Sequence, residues 1–170
     1  MFQKFYPGEY VDSSFDINYK DLYKQGYRGL IFDVDNTLVE HGADASNEAL
    51  ALMKQLKEIG FKVCFLSNNN EERVKRFNKD INGLYIFKAN KPSKKGYQKA
   101  MELMGTDVNN TIFVGDQLFT DVYGANRIKL KTILVKPIGK KEEIQIIIKR
   151  YFERVVLYFY ERSLKRWKAR

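Results

Sequence analysis

The sequence predicts an α/β fold: a three-layer α/β/α, Rossmann-like domain with a parallel five-stranded, doubly wound sheet. Three observations predict it. Segments of strand and helix character alternate from about residue 28 onward. The strand-like segments are short apolar runs, as strands covered on both faces must be. Polar residues gather at the carboxyl ends of those runs, the edge where open parallel sheets bind ligands.

GLIFDVD (29–35) reads as the first strand, apolar until it ends in carboxylates. A helix follows from about Ser46 to Ile59, with Ala49, Leu52, Met53, Leu56 and Ile59 on one face and Gly60 as its stop. FKVCFLS (61–67) is the second strand. Asn70 then caps a short helix that carries Glu71 and Glu72 in its first turn and turns Val74 and Phe77 inward. LYIFKA (84–89) is the third strand, ended by Lys91-Pro92-Ser93, with Ser93 a candidate cap for a helix over about 94–104. That helix buries Tyr97, Ala100, Met101 and Met104 and stops at Gly105. TIFVGD (111–116), a short helix near 118–127 and KTILV (131–135) complete the alternation. A long, basic, amphipathic helix from about Lys141 to 168 places Ile144, Ile147, Ile148, Tyr151, Val155, Tyr158 and Phe159 on one stripe. The whole reads as one domain over 1–170, its core at about 28–136, with no internal repeat or linker.

Composition narrows the function classes. At 170 residues, 44% hydrophobic and 30% charged, the chain is globular rather than disordered or membrane-embedded. A single cysteine, Cys64, excludes a disulfide framework and a cysteine-rich zinc site built from this chain; mid-strand, it reads as a buried inert thiol. The opening MFQKFYPGEY lacks the pattern of a secretory signal, and the longest apolar run is Val155 to Tyr160, so a cytoplasmic, reducing setting is expected. The net charge is +9, of which +6 lies between Lys140 and Arg170. That asymmetry points to an acidic partner, a membrane surface or nucleic acid, unless the charges are simply a solvated helix face.

The chemical signal is the placement of four polar clusters: Asp33-Val34-Asp35-Asn36-Thr37-Leu38, Leu66-Ser67-Asn68, Lys91-Pro92, and Gly115-Asp116-Gln117-Leu118-Phe119-Thr120-Asp121. Each follows a strand, so all four converge on one crevice. Asp33 and Asp35, two residues apart, can present both carboxylates to one small volume, and Asp116 adds a third. Oxygen ligands of this kind suit Mg²⁺. With Lys91 and the Ser67 hydroxyl opposite, the cluster is arranged to hold a phosphoryl group. His41 reads as a loop residue, and Trp167, among lysines and arginines, as an interfacial anchor or a helix end folded on the body.

As a set, DVDNTL, LSN, NKP and GDQLFTD resemble the four motifs of the haloacid dehalogenase superfamily, over about Gly29 to Val135. The resemblance implies a Mg²⁺-dependent phosphatase. On it, Asp33 is the nucleophile that forms an aspartyl-phosphate, and Asp35 protonates the leaving oxygen and then activates water. Thr37, Ser67, Asn68 and Lys91 would bind the phosphorylated substrate. Asp33, the Asp35 carbonyl and Asp116 would hold the metal, with Asp121 binding or orienting behind it.

Many relatives in that superfamily carry a cap domain between motifs. Here 34 positions separate Asp33 from Ser67 and 24 separate Ser67 from Lys91, each consumed by elements already named, so the chain is expected to be capless. An open site suits a phosphate displayed on something large, or closure by another subunit. Together with the opening YPGEYVDSSFDINYKDLYKQGYRG, this pattern resembles the YqeG-type subclass IIIA phosphatases, related to phosphatidylglycerophosphate phosphatases. That implies a lipid headgroup as substrate, and the basic tail then lies on anionic lipid as a peripheral membrane contact at the inner face. The stripe could equally pack on the sheet or on a second subunit in a homo-oligomer. Soluble phosphorylated metabolites or nucleic-acid terminal phosphates are the alternative substrates. Non-catalytic nucleic-acid binding ranks last, because no such motif is present and the carboxylates repel phosphate.

Overall fold

Backbone hydrogen bonds between short apolar segments set the frame. The computed structural model describes residues 2–139 and 144–168, the side chains of 144–147 and 166–168 excepted. Among them lie six strands: β1 (Glu9–Val11), β2 (Gly29–Phe32), β3 (Lys62–Leu66), β4 (Leu84–Ile86), β5 (Thr111–Gly115) and β6 (Lys131–Val135). The helices are α1 (Tyr19–Lys24), α2 (Asn47–Ile59), α3 (Glu71–Asn78), α4 (Lys94–Met104), α5 (Tyr123–Asn126) and α6 (Ile144–Lys168). All sheet pairings are parallel, in the order β1-β6-β5-β2-β3-β4. The chain winds outward through β3 and β4 and then returns to β5 on the other side of β2. The strand order therefore reverses at the β2/β5 boundary, and the crevice forms there.

Period-two alternation splits the central strands between two apolar layers. Leu30, Phe32, Ile112, Val114 and Phe65 face α1, α2 and Phe77 of α3. Ile31, Cys64, Leu66 and Phe113 face Tyr97, Ala100 and Met104 of α4 and Ala125 of α5. Fully burying side chains of this size stabilises the fold by roughly 1.5–3 kcal/mol each. The helix ends follow local chemistry: Ser46 and Asn70 accept from the N–H groups of Ala49 and Arg73, and Gly60 and Gly105 take the left-handed conformation that closes α2 and α4.

The sheet has six strands rather than the expected five. β1 is a three-residue, half-exposed edge strand joined to β6 through its backbone, and a run that short carries no periodic signal. With α1 it extends the core upstream of residue 28. The third expected strand ends early, at Ile86, where Lys88 adopts φ 45°. Ser93 makes no side-chain cap, and the expected 118–127 helix starts as a π-helical turn, Leu118–Val122, before α5. Only a loop and α2 lie between β2 and β3, and only α3 between β3 and β4, so no inserted domain covers the crevice.

The described side chains of the α6 stripe lie on its outer face. Ile148, Tyr151, Phe152, Val155, Tyr158 and Phe159 are exposed, whereas Glu153, Val156 and Tyr160 face inward. Tyr6 meets Tyr160 edge-on at 5.4 Å between ring centroids, and Val156 joins Leu118, Val122 and Leu134. Polar anchors from Arg150 and Glu153 to residues 116–118 fix the helix's rotation, which periodicity alone does not specify. The expected start near Lys141 lies outside the described residues, as do the side chains of Ile144, Ile147 and Trp167.

Candidate active site

Strand register delivers the site. Phe32 of β2 pairs with Val114 of β5 and Phe65 of β3, so the three chains leave the sheet nearly level, and the Asp33 N–H donates to Val114 at 2.9 Å. The carboxylates of Asp33, Asp116 and Asp121, all buried, each bring one oxygen within 4.8 Å of the others. Lys91 reaches in from the β4–α4 loop, its Nζ 2.5 Å from Asp33 Oδ1 and 2.8 Å from Asp121 Oδ1. The Thr37 hydroxyl lies 3.4 Å from Asp33 Oδ2 and 3.3 Å from Asp116 Oδ1. Ser67, also buried, accepts from the Asn69 N–H at 3.1 Å. The sequence thus places Asp33, Thr37, Lys91, Asp116 and Asp121 in one pocket, with Ser67 at the adjoining strand end.

Glycine makes the close approach of Asp121 available. A Cβ on Gly115 would sit 2.5 Å from Asp121 Oδ2 and 2.7 Å from the Phe113 ring, so no larger residue fits there. Tyr97 holds the same turn from below, its hydroxyl donating to the Thr120 and Asp121 carbonyls at 2.9 and 3.1 Å.

Burial governs the electrostatics. Loss of solvent pushes the Asp33 carboxyl up to about 7 against the opposing pull of Lys91, and Asp121 adds to the rise. Asp116 is raised well above the carboxylate range by burial and by its acidic neighbours Asp33 and Asp121, while Arg150 opposes the shift. Burial pulls the Lys91 ammonium down, but Asp121 and Asp33 outweigh it and the net shift is upward, so Lys91 stays charged. Three mutually close carboxylates repel unless cations join them. Their hard oxygens and spacing fit a divalent ion.

Three details differ from the sequence reading. The Asp35 carboxylate stays close enough to Asp33 to raise its carboxyl but does not join the acidic trio, because the chain turns sharply, with Asn36 at φ 63° and the Val34 carbonyl accepting from Thr37 and Leu38. The Asp35 carboxylate instead accepts from Arg73 Nη2 at 2.8 Å and from Asn69 Nδ2 and the Gly42 N–H at 2.7 Å each. Asn68, expected to touch substrate, has both ends of its amide on the Lys91 main chain, at 2.7 and 3.2 Å. It positions the lysine. Asp121, expected behind the metal, lies within the acidic trio itself. His41 is exposed and Cys64 fully buried, its thiol pushed up to about 12 by desolvation.

Sequence reasoning missed Arg73, Arg150 and Glu153, and read Asn69 as a residue that shapes the turn rather than as a partner of Asp35. Arg73 lies one turn from Phe77 on the inward face of α3, a readable signal. Arg150 donates from α6 to both the carboxylate and the carbonyl of Asp116, and its Nη1 lies 3.0 Å from Glu153 Oε2. Glu153 Oε1 accepts from the Leu118 N–H at 2.7 Å.

A profile of the haloacid dehalogenase-like hydrolases matches residues 43–129, half of the chain. The "Probable phosphatase YqeG" of Bacillus subtilis is 38% identical over 159 residues, 92% of each chain. The chain belongs to the haloacid dehalogenase-like hydrolases. "Phosphatidylglycerophosphate phosphatase 1, chloroplastic/mitochondrial" of Arabidopsis thaliana is 26% identical over 89% of this chain but only 44% of its own length. Among solved structures, a putative family hydrolase from Streptomyces avermitilis shares the fold at TM-score 0.54 and 10% identity, over 68% of this chain and 76% of that one. A dehalogenase solved as an intermediate complex does so at TM-score 0.57 and 17% identity, over 71% and 90%. As a haloacid dehalogenase-like hydrolase with phosphatase relatives, the chain is a phosphoric monoester hydrolase.

Proposed function

We propose that this hydrolase cleaves the terminal phosphomonoester of phosphatidylglycerophosphate through an aspartyl-phosphate on Asp33. The observation that carries the chemistry is the buried Asp33 carboxylate at the reversal of strand order, ion-paired to Lys91 and flanked by Asp116 and Thr37. Asp33 attacks phosphorus while the glycerol oxygen departs with a proton from Asp35; Asp35 then deprotonates the water that attacks phosphorus, releasing phosphate and restoring Asp33. Lys91 and the hydroxyls of Thr37 and Ser67 hold the phosphoryl oxygens, where donors fixed in a dry pocket act most strongly. Asp33, Asp116 and the main-chain carbonyl of Asp35 would hold Mg²⁺ with Asp121 beside them; bound there, the ion neutralises charge developing on the phosphoryl oxygens. Asp35 enters the cycle by exchanging one of its donors, Arg73, Asn69 or the Gly42 N–H, for a substrate oxygen.

Three features support the lipid. The Arabidopsis relative is named for that substrate. No inserted domain encloses the crevice, so a headgroup fixed to a surface can enter it. The exposed stripe on α6 runs beside Lys149, Arg154, Arg162 and Lys165, an arrangement suited to peripheral contact with anionic lipid. No described helix is long and apolar enough to cross a membrane. A soluble phosphorylated metabolite is the second reading, favoured by the 28% identity over 97 residues to a "Glyceraldehyde 3-phosphate phosphatase" of Pyrococcus abyssi.

A phosphatase panel with phosphatidylglycerophosphate in mixed micelles decides between them. Phosphate release from the lipid should exceed that from soluble esters and vanish in Asp33→Asn. Faster turnover of soluble esters, with no binding to vesicles, would overturn the lipid assignment.

A further inference from the structure

We infer that Arg150 is a tethered cation that occupies the divalent ion's place at Asp116, so that the seated Arg150 and the bound ion are competing states of one site. The inference rests on the proposed cation at the three-acid cluster.

Shared contact argues for exchange. Arg150 donates to both the carboxylate and the carbonyl of Asp116, the acid that with Asp33 and Asp121 forms the three-oxygen cluster, so the guanidinium and a bound ion draw on the same carboxylate.

The structure also supplies somewhere for Arg150 to go. Its Nη1 already lies 3.0 Å from Glu153 Oε2, one turn along α6. Glu153 is buried and anchored through its other oxygen to the Leu118 N–H. On leaving Asp116, Arg150 therefore keeps a charged partner. A cleft of about 570 Å³, lined by Tyr10, Asp116, Pro137, Arg150, Glu153 and Arg154, gives the side chain room to withdraw. The position of α6 and the affinity of the cluster for metal are thereby linked, because each state excludes the other.

Two substitutions carry opposite signs. Calorimetric titration of the full chain with Mg²⁺, without substrate, reads them. Arg150→Ala removes the competitor and should bind Mg²⁺ about tenfold more tightly or better, and its metal-free thermal midpoint should fall. Glu153→Gln keeps an acceptor for Leu118 but deprives the displaced Arg150 of its charge partner, and should bind Mg²⁺ more weakly. Equal or weaker binding by Arg150→Ala overturns the inference, and if that variant does not fold, unchanged or tighter binding by Glu153→Gln does so. Asp116→Asn separates the premises. If Asp116→Asn loses the ion while Arg150→Ala gains nothing, the exchange alone is wrong; if Asp116→Asn binds like the parent, the cation assignment falls and the inference with it.

Discussion

The strand-end pocket and the outer face of α6 are opposite kinds of surface. In the pocket the charged groups of Asp33, Asp116, Asp121 and Lys91 are buried, and each acid has a partner of opposite sign close by: Asp33 and Asp121 on Lys91, Asp116 on the partly buried Arg150. On α6, six large apolar side chains from Ile148 to Phe159 lie exposed among lysines and arginines. Buried charges hold their geometry because any displacement leaves one unpaired in a low dielectric. Exposed apolar groups, although Phe159 stacks on Phe2 at 5.6 Å, gain most when another surface removes them from water. The acidic pocket is thus built and paired by the chain's own side chains, whereas on the proposed function the outer face of α6 is finished only by what it meets. Arg150 and Glu153, on the inward side of the same helix, join the two regions.

Breaking the pocket should have the largest effect. Asp116→Asn leaves the cluster without its second strand-end carboxylate, and loss of metal-assisted charge neutralisation, worth several kcal/mol, should lower phosphate release by roughly 10³-fold. Steady-state kinetics at saturating Mg²⁺ measure it; a loss below tenfold would place the cation elsewhere. Lys91→Ala strands Asp33 beside Asp121 without their shared ammonium. Breaking a buried pair from one side costs about 3–5 kcal/mol, so the metal-free variant should unfold at markedly lower denaturant.

A pH experiment sharpens the same contrast. Burial raises the Asp33 carboxyl to about 7, so the folded state holds its proton more tightly than the unfolded chain does. The stability this confers is present in acid, below the ordinary carboxylate range, and is lost as pH rises through about 7. Mg²⁺, which favours the ionised form, should therefore raise the thermal midpoint more above pH 7 than near pH 5. A shift independent of pH would contradict the burial argument. The smallest effect on the fold belongs to α6: Tyr151→Ser with Phe152→Ser should change stability by less than about 0.5 kcal/mol per substitution. The same pair should strip the protein from anionic vesicles in a flotation assay, and undiminished binding would remove the stripe from the lipid account.

How much of this was legible in the sequence follows from how local each signal is. Asp33, Ser67 and Asp116 sit directly after strands whose apolar runs announce them, Thr37, Lys91 and Asp121 lie in the turns that follow strand ends, and parallel strands bring their carboxyl ends together whatever the details of packing. The partners of Asp35 were hidden because two-residue periodicity stops where the strand does, and near the positive φ of Asn36 its carboxylate meets Arg73. β1 is too short to show a pattern. The rotation of α6 was hidden for a different reason. Its more apolar stripe points outward because two polar residues, Arg150 and Glu153, bind the loop after β5, and no hydrophobic periodicity encodes that.

Trapping the covalent intermediate tests most directly whether Asp33 attacks phosphorus. Enzyme quenched in acid during turnover and reduced with borohydride should carry homoserine at position 33, identified by peptide mass spectrometry, and Asp33→Asn should carry none. Homoserine at another aspartate, or none anywhere while phosphate is being released, would contradict the account.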